Sequence, residues 1–421
     1  MHLLKNVTVA DTQSPHNGQT VDLRIAAGKI AEIGAKLEDQ DGEQLVNLEG
    51  AFVSPGFIDI GPYVGDPGHE EKEDLASLAA AAQRGGYVAV APLPNTLPAR
   101  HDKSGISYLI DRSTHLPVKM LPLGAISRDV AGKDITEMLD MVKAGAVGFT
   151  DGLEPVISAG LLSRALRYVK AFSGTVINQP FDTELAPGGQ IHEGEISTQL
   201  GLRGLPELCE TLNVHRDLSL LDYTDSRLLI HLVSSATSLP MIALAKEKGL
   251  QAFASVAIHN LQFTVGELAS FDANFKLLPP LRTEGDRTAL IEALHKGTID
   301  CVVSNHRAHV PEEKELEFPY AEFGGPSLES CFAQALTVLV PTLPIDQIAA
   351  VFSHGPRRTL ALTPQYIAID QPAEFSFFRT DIEWQFSAKD MAGKDHRSAL
   401  IDYPLRGKAI ATYFDQQYLP I

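Results

Sequence analysis

The side chains able to do chemistry stand at the ends of apolar runs. Asp151 closes the run Ala146–Asp151, and His231 falls within Arg227–Val233. A carboxylate and an imidazole are residue types that ligate metal ions, and a bound metal makes hydroxide available from water near neutral pH. His259 and His306 are the further imidazoles that such an ion could recruit. Other positions argue the opposite way. The run Phe52–Ile60 leads into Gly61-Pro62-Tyr63, which offers no side chain at one position and a neutral phenol at the next but one. Asn305, in Ser304-Asn305-His306-Arg307-Ala308-His309, carries an amide that neither takes nor gives a proton near pH 7. One Asp and one His without partners read as hydrogen-bonded strand ends rather than as a working centre.

The elements that must position these residues are legible as periodic patterns. Eight candidate strands follow one another: Phe52–Ile60, Tyr87–Leu93, Val118–Ile126, Ala146–Asp151, Thr175–Gln179, Arg227–Val233, Leu250–Val256 and Asp300–Asn305. Helical patterns lie between most of them, including Glu71–Arg84, Ile135–Ala144, Ala236–Lys248 and Thr288–Lys296. Repeated strand-then-helix units predict an α/β fold, a (β/α)8 TIM-type barrel over residues 52–362. An open doubly wound sheet would bring a Gly-rich phosphate turn, which is absent. Residues 1–51 read as short strands (Leu4–Ala10, Val21–Ile25 and Ile30–Ile33), and residues 363–421 return to that texture at Tyr366–Asp370, Glu374–Arg379 and Ala409–Phe414. The two end segments together predict a small flanking β-sandwich.

Composition narrows the function classes. The chain has 421 residues, 44% hydrophobic and 21% charged, enough for a barrel and a smaller unit. A formal net charge of −18 argues against nucleic acid as a partner, because phosphate binding needs clustered Lys and Arg. No apolar run approaches the roughly 20 residues of a membrane span. The start, Met1-His2-Leu3-Leu4-Lys5-Asn6, lacks the layout of a secretion signal. Cys209, Cys301 and Cys331 are widely spaced, which suits reduced thiols and a cytoplasmic location.

A set of motifs then carries a family resemblance. Ser54-Pro55-Gly56-Phe57-Ile58-Asp59, Asp66-Pro67-Gly68-His69-Glu70-Glu71-Lys72-Glu73-Asp74, Gly85-Gly86-Tyr87 and Leu93-Pro94-Asn95-Thr96 resemble the dihydroorotases of the amidohydrolase superfamily. The likeness continues in order through Gly145–Asp151, His231–Ser235, Lys276–Arg282 and Phe323–Glu329. It implies a zinc-dependent enzyme that interconverts carbamoyl aspartate and dihydroorotate. Residue by residue, however, the implied chemistry is missing. The family's first His pair corresponds to Gly61 and Tyr63, its carboxylate-gripping Arg to Gly65 and its fifth-strand His to Asn178. Its substrate-contacting Asn corresponds to Leu278 and its catalytic Asp to Asn305. Asp151 matches a metal-bridging carboxylate, His231 a retained imidazole ligand, and Asn95 a substrate-binding amide. His309 matches the last His of the signature, His259 a barrel-mouth His, and His192 a loop that introduces the next helix. Arg282 closes its motif intact, whereas Arg307 puts a cation where the family has small residues, a candidate to neutralise Asp151 in place of zinc. Glu70–Asp74 reads as a charged first helical turn on the solvent face.

The losses fall in four separate motifs, yet the structural residues around them survive, so the pattern is selective erosion of chemistry. The resemblance therefore implies a degenerate dihydroorotase homologue, metal-free, that acts as a structural or regulatory partner of the aspartate carbamoyltransferase catalytic chain in a homo- or hetero-oligomer. One alternative is an active cyclic amidohydrolase with zinc held at most as a single ion by Asp151 and His231. Another is a non-catalytic sensor of carbamoyl aspartate that uses Asn95, Arg282 and His309. With Tyr63 and Leu278 both at strand ends, a pocket narrower and drier than the family's is expected.

Overall fold

The run Phe52–Ile60 is two strands rather than one. The computed structural model covers residues 1–421 and places Phe52–Pro55 antiparallel to Phe375–Gln385 and parallel to His2–Val9. Phe57–Ile60 turns away and pairs in parallel with Tyr87–Ala91. Gly56 permits the turn, because a Cβ there would lie 2.2 Å from Val88 Cγ2.

From that point eight strand positions build a parallel barrel: Phe57–Ile60, Tyr87–Ala91, Lys119–Met120 with Leu123–Gly124, Gly148–Phe149, Val176–Asn178, Arg227–Ile230, Gln251–Ala257 and Cys301–Val303. The third strand is interrupted at Leu121-Pro122. Its first half joins Tyr87–Ala91 and its second half Gly148–Phe149, so hydrogen bonding divides into a three-stranded and a six-stranded sheet. Proline has no N–H to continue the ladder, which accounts for the break. At the seam between the last and first strands a side chain replaces the ladder. Asp59 accepts the Ser304 N–H at 2.8 Å and the Ser304 hydroxyl at 2.5 Å, and Tyr63 N–H donates to His306 O at 2.8 Å.

Alternation along each strand sorts the barrel into two apolar layers. Ile58, Ile60, Ala89, Ala91, Leu121, Leu123, Ile177, Leu229 and Val303 fill the interior. Phe57, Val90, Val176, Leu228, Ile230 and Val302 face the helices in a larger cluster. Several helix starts lie inside the spans expected from periodicity. Asp74 caps the helix Leu75–Arg84 in a reciprocal pair with Ser77, so Glu71–Glu73 precede the helix. Glu73 is fully buried, which corrects the expectation that this whole charged stretch faces solvent. The remaining expected helices appear as Met138–Lys143, Leu239–Glu247 and Glu284–His295.

Both chain ends form one continuous eight-stranded sheet beside the barrel, the unit read from sequence as a β-sandwich. Leu4, Val7, Leu23, Ile25, Val53, Phe375, Phe377 and Tyr413 share its separate core. Tyr366–Asp370, expected as a strand, is a turn, and its Ile367 N–H is held by Asp11 Oδ2 at 2.7 Å. Gln417–Pro420 adds an edge strand that periodicity did not reveal.

Candidate functional site

The strand ends at the barrel mouth enclose a cavity of about 30 Å³, lined among others by Gly61, Tyr63, Gln179, His231, Leu278 and Arg307. That is space for about two waters. Tyr63 and Leu278 thus stand together at the old pocket, Leu278 also packing beside Phe181 and Leu205.

Gly61 explains much of the geometry. Its φ of +88° is a conformation that glycine adopts without strain, and a Cβ built there would lie 2.6 Å from His231 Nε2. The imidazole of His231 occupies the space a side chain at 61 would enter. Its Nδ1 sits 2.8 Å from Ser255 Oγ, which also accepts the Leu232 N–H at 3.0 Å. Burial pushes the His231 pKa down to about 3, so the ring is neutral at physiological pH.

The other retained polar groups are committed inside the protein. Both carboxylate oxygens of Asp151 are taken by Ser127, through its N–H at 2.8 Å and its hydroxyl at 2.5 Å. Arg307 makes no ion pair with Asp151. Asn95 donates to Asp151 O at 3.0 Å and accepts the Leu153 N–H at 3.2 Å, stitching together the loop that follows the fourth strand. Asn178 turns aside, donating to Asp217 at 2.7 Å and accepting the Val156 N–H at 3.0 Å. Asn305, at φ +54°, donates to Leu278 O at 3.1 Å. Arg282 is buried against Ser234 Oγ, Leu205 O and His192 Nδ1, each at 3.1 Å, with Glu210 at 3.8 Å. A Cβ at Gly65 would lie 2.0 Å from His69 O, so an arginine cannot return there without reshaping the loop.

The remaining histidines take separate places. His306 Nδ1 accepts the Ser327 and Leu328 N–H groups at 3.1 and 3.4 Å, so its Nε2 carries the proton and donates to Glu73 at 3.2 Å. Burial opposes the charged ring, but Glu73, together with the charges of Glu329 and Asp59, outweighs it and the His306 pKa is raised. His309 donates Nε2–H to Phe323 O at 3.0 Å and has Glu313 at 2.9 Å from Nδ1; burial lowers its pKa despite those two acceptors. His259 is buried with both ring nitrogens unpartnered, and burial takes its pKa to about 4.

A catalytic zinc takes at least three protein ligands. No three His, Cys, Asp or Glu side chains converge anywhere in the chain. Both oxygens of Asp151 are closed off by Ser127, and neither His259 nor His306 joins it and His231. The residues present therefore do not fit a resident zinc. Sequence reasoning missed Glu73, Ser127, Ser255 and Gln179. Three of these act by holding another residue, a role that residue type alone does not signal. Gln179 follows Asn178 at the end of the fifth strand, where one further residue in the reading would have found it.

The fold and this mouth define an amidohydrolase-type (β/α)8 barrel without an assembled metal-ligand set. Its architecture is similar to that of L-hydantoinase (dihydropyrimidinase) from Arthrobacter aurescens, with a TM-score of 0.87 at 20% identity over 100% of this chain and 97% of that chain. A dihydro-orotase-like family model matches residues 50–238. Dihydroorotase from Syntrophotalea carbinolica is 32% identical over 98% of this chain and 97% of its own length. That from Caldicellulosiruptor saccharolyticus is 33% identical over 99% and 96%. The chain belongs to the dihydroorotase family of the amidohydrolase superfamily. No helix is long and apolar enough to cross a membrane.

Proposed function

We propose that this chain is a dihydroorotase-family member that has lost metal-dependent ring hydrolysis and acts as a structural or regulatory partner of an aspartate carbamoyltransferase catalytic chain. One observation carries the reading. Asp151 is bound at both oxygens by Ser127, and no third ligating side chain converges with it and His231, so the surviving donors do not assemble around a shared ion. Asn305 in place of a proton-transferring carboxylate removes a contribution of about two to four orders of magnitude in rate. The partner role rests on the resemblance to non-catalytic dihydroorotase-like subunits and on a scaffold that remains fully packed. Mixing the purified chain with the transcarbamoylase and measuring mass in solution tests it. Co-elution as one assembly is expected, and two separately migrating proteins at micromolar concentration rule the role out.

A second reading has its own support. Relatives over nearly the whole chain are named dihydroorotase, which favours an enzyme with an altered, at most mononuclear zinc site. On that reading Asp151 must leave Ser127, while His231 keeps Ser255 at Nδ1 and offers Nε2 to the metal. Turnover of dihydroorotate by the pure chain separates the two. Carbamoyl aspartate sensing is the weakest reading, since about 30 Å³ does not admit a molecule of that size.

A further inference from the structure

Arg307 is the one strong cation at the barrel mouth, and nothing in the protein neutralises it. Its guanidinium makes no side-chain hydrogen bond and no ion pair, although it lines the cavity beside Tyr63 and His231. The carboxylates in its field are Glu322, Glu313 and Glu154, none of them in contact. Glu313 is already committed to Lys72 at 2.5 Å and His309 at 2.9 Å. The stem of Arg307 is held in place by Gly324. With φ +116°, that residue leaves space that a Cβ would fill at 2.8 Å from Arg307 Cδ. A second, independent feature points into the same cavity. Gln179 is only 7% exposed and lines it, and its Nε2 is buried with no hydrogen-bond partner.

A guanidinium with no protein partner and a buried, orphaned amide donor on one cavity wall each lack what an anion supplies. The space is too small for a metabolite and large enough for a single ion. We propose that the cavity is a binding site for one small monovalent anion, chloride or a one-carbon oxyanion such as formate, held by Arg307 and Gln179. The site uses a cation that replaces the small residue expected from the family pattern, so it belongs to this chain's own remodelling. The site does not rest on the partner role proposed above, so its failure leaves that role untouched.

Two measurements on the full chain test the proposal. In crystals soaked in bromide, the chloride analogue, an anomalous peak is expected within hydrogen-bond distance of the Arg307 guanidinium and Gln179 Nε2. In thermal unfolding at constant ionic strength, chloride or formate replacing gluconate, which is too large to enter, should raise Tm saturably by about 2 °C. Arg307→Met should abolish the rise. Gln179→Leu, a milder change should the first variant misfold, should weaken the apparent affinity about tenfold. A shift of equal size in wild type and either folded variant, or bromide found only on the exterior as an adventitious ion, overturns the assignment.

Discussion

Placing a methyl group at position 61 tests how the mouth was remodelled. In Gly61→Ala the backbone must hold φ +88° with a Cβ present, which costs about 1–2 kcal/mol. The new Cβ would also stand 2.6 Å from His231 Nε2, so the imidazole must move and give up its hydrogen bond to Ser255, about 1 kcal/mol more. The sum is about 2–3 kcal/mol of lost stability, read from urea unfolding midpoints at pH 7. A double-mutant cycle with His231→Ala isolates the steric part. Without the imidazole, the alanine introduced by Gly61→Ala keeps only its backbone strain, so the double variant should be more stable than the two single losses predict by about 1 kcal/mol or more. Losses that add to within about 0.5 kcal/mol would show that the two positions do not compete for the same space, and the account of the mouth would be wrong.

Further expectations concern the buried ionisable groups. The folded-state pKa of His231 is about 3 against an unfolded value of 6.5, so the unfolded chain takes up the proton first and stability falls as pH drops below 6.5. Between pH 7 and pH 5 the wild type should therefore lose about 2 kcal/mol relative to His231→Leu, measured by denaturant titration at both pH values; parallel pH curves would refute a buried neutral imidazole. Ser304→Ala removes a hydroxyl donor from the fully buried Asp59 at the barrel seam and should destabilise by about 1–3 kcal/mol. An effect under about 0.5 kcal/mol, as at an exposed serine, would show that the seam does not depend on this bond. Glu73→Gln should lower the His306 pKa, followed by NMR titration of the ring, because Glu73 is the largest of the groups that raise it; an unchanged titration would remove Glu73 from that role.

The barrel was legible because its strands are long apolar runs at regular spacing, and its interior and exterior alternate with period two. What could not be read were changes of partner within a run. Nothing in Phe52–Ile60 says that Gly56 sends half of it to another sheet. The degenerate positions were visible as residue types, but their consequences depended on neighbours far away in sequence. That His231 lies over Gly61, 170 positions away by residue number, is a fact of barrel closure. That Asp151 is sealed by Ser127 depends on a loop with no distinctive pattern. Glu73 shows the reverse error: within a run of charges it reads as solvated, yet its partner His306 draws it fully inside.

The most direct test follows zinc and turnover in one preparation. The pure chain is equilibrated with excess zinc at pH 8, dialysed, and assayed for bound metal and for ring opening of dihydroorotate. Well under a tenth of an equivalent of retained zinc, with a rate equal to the protein-free control, is the expected result. About one equivalent retained, with ring opening that scales with protein concentration, would contradict the central claim that these residues no longer assemble a metal-activated water.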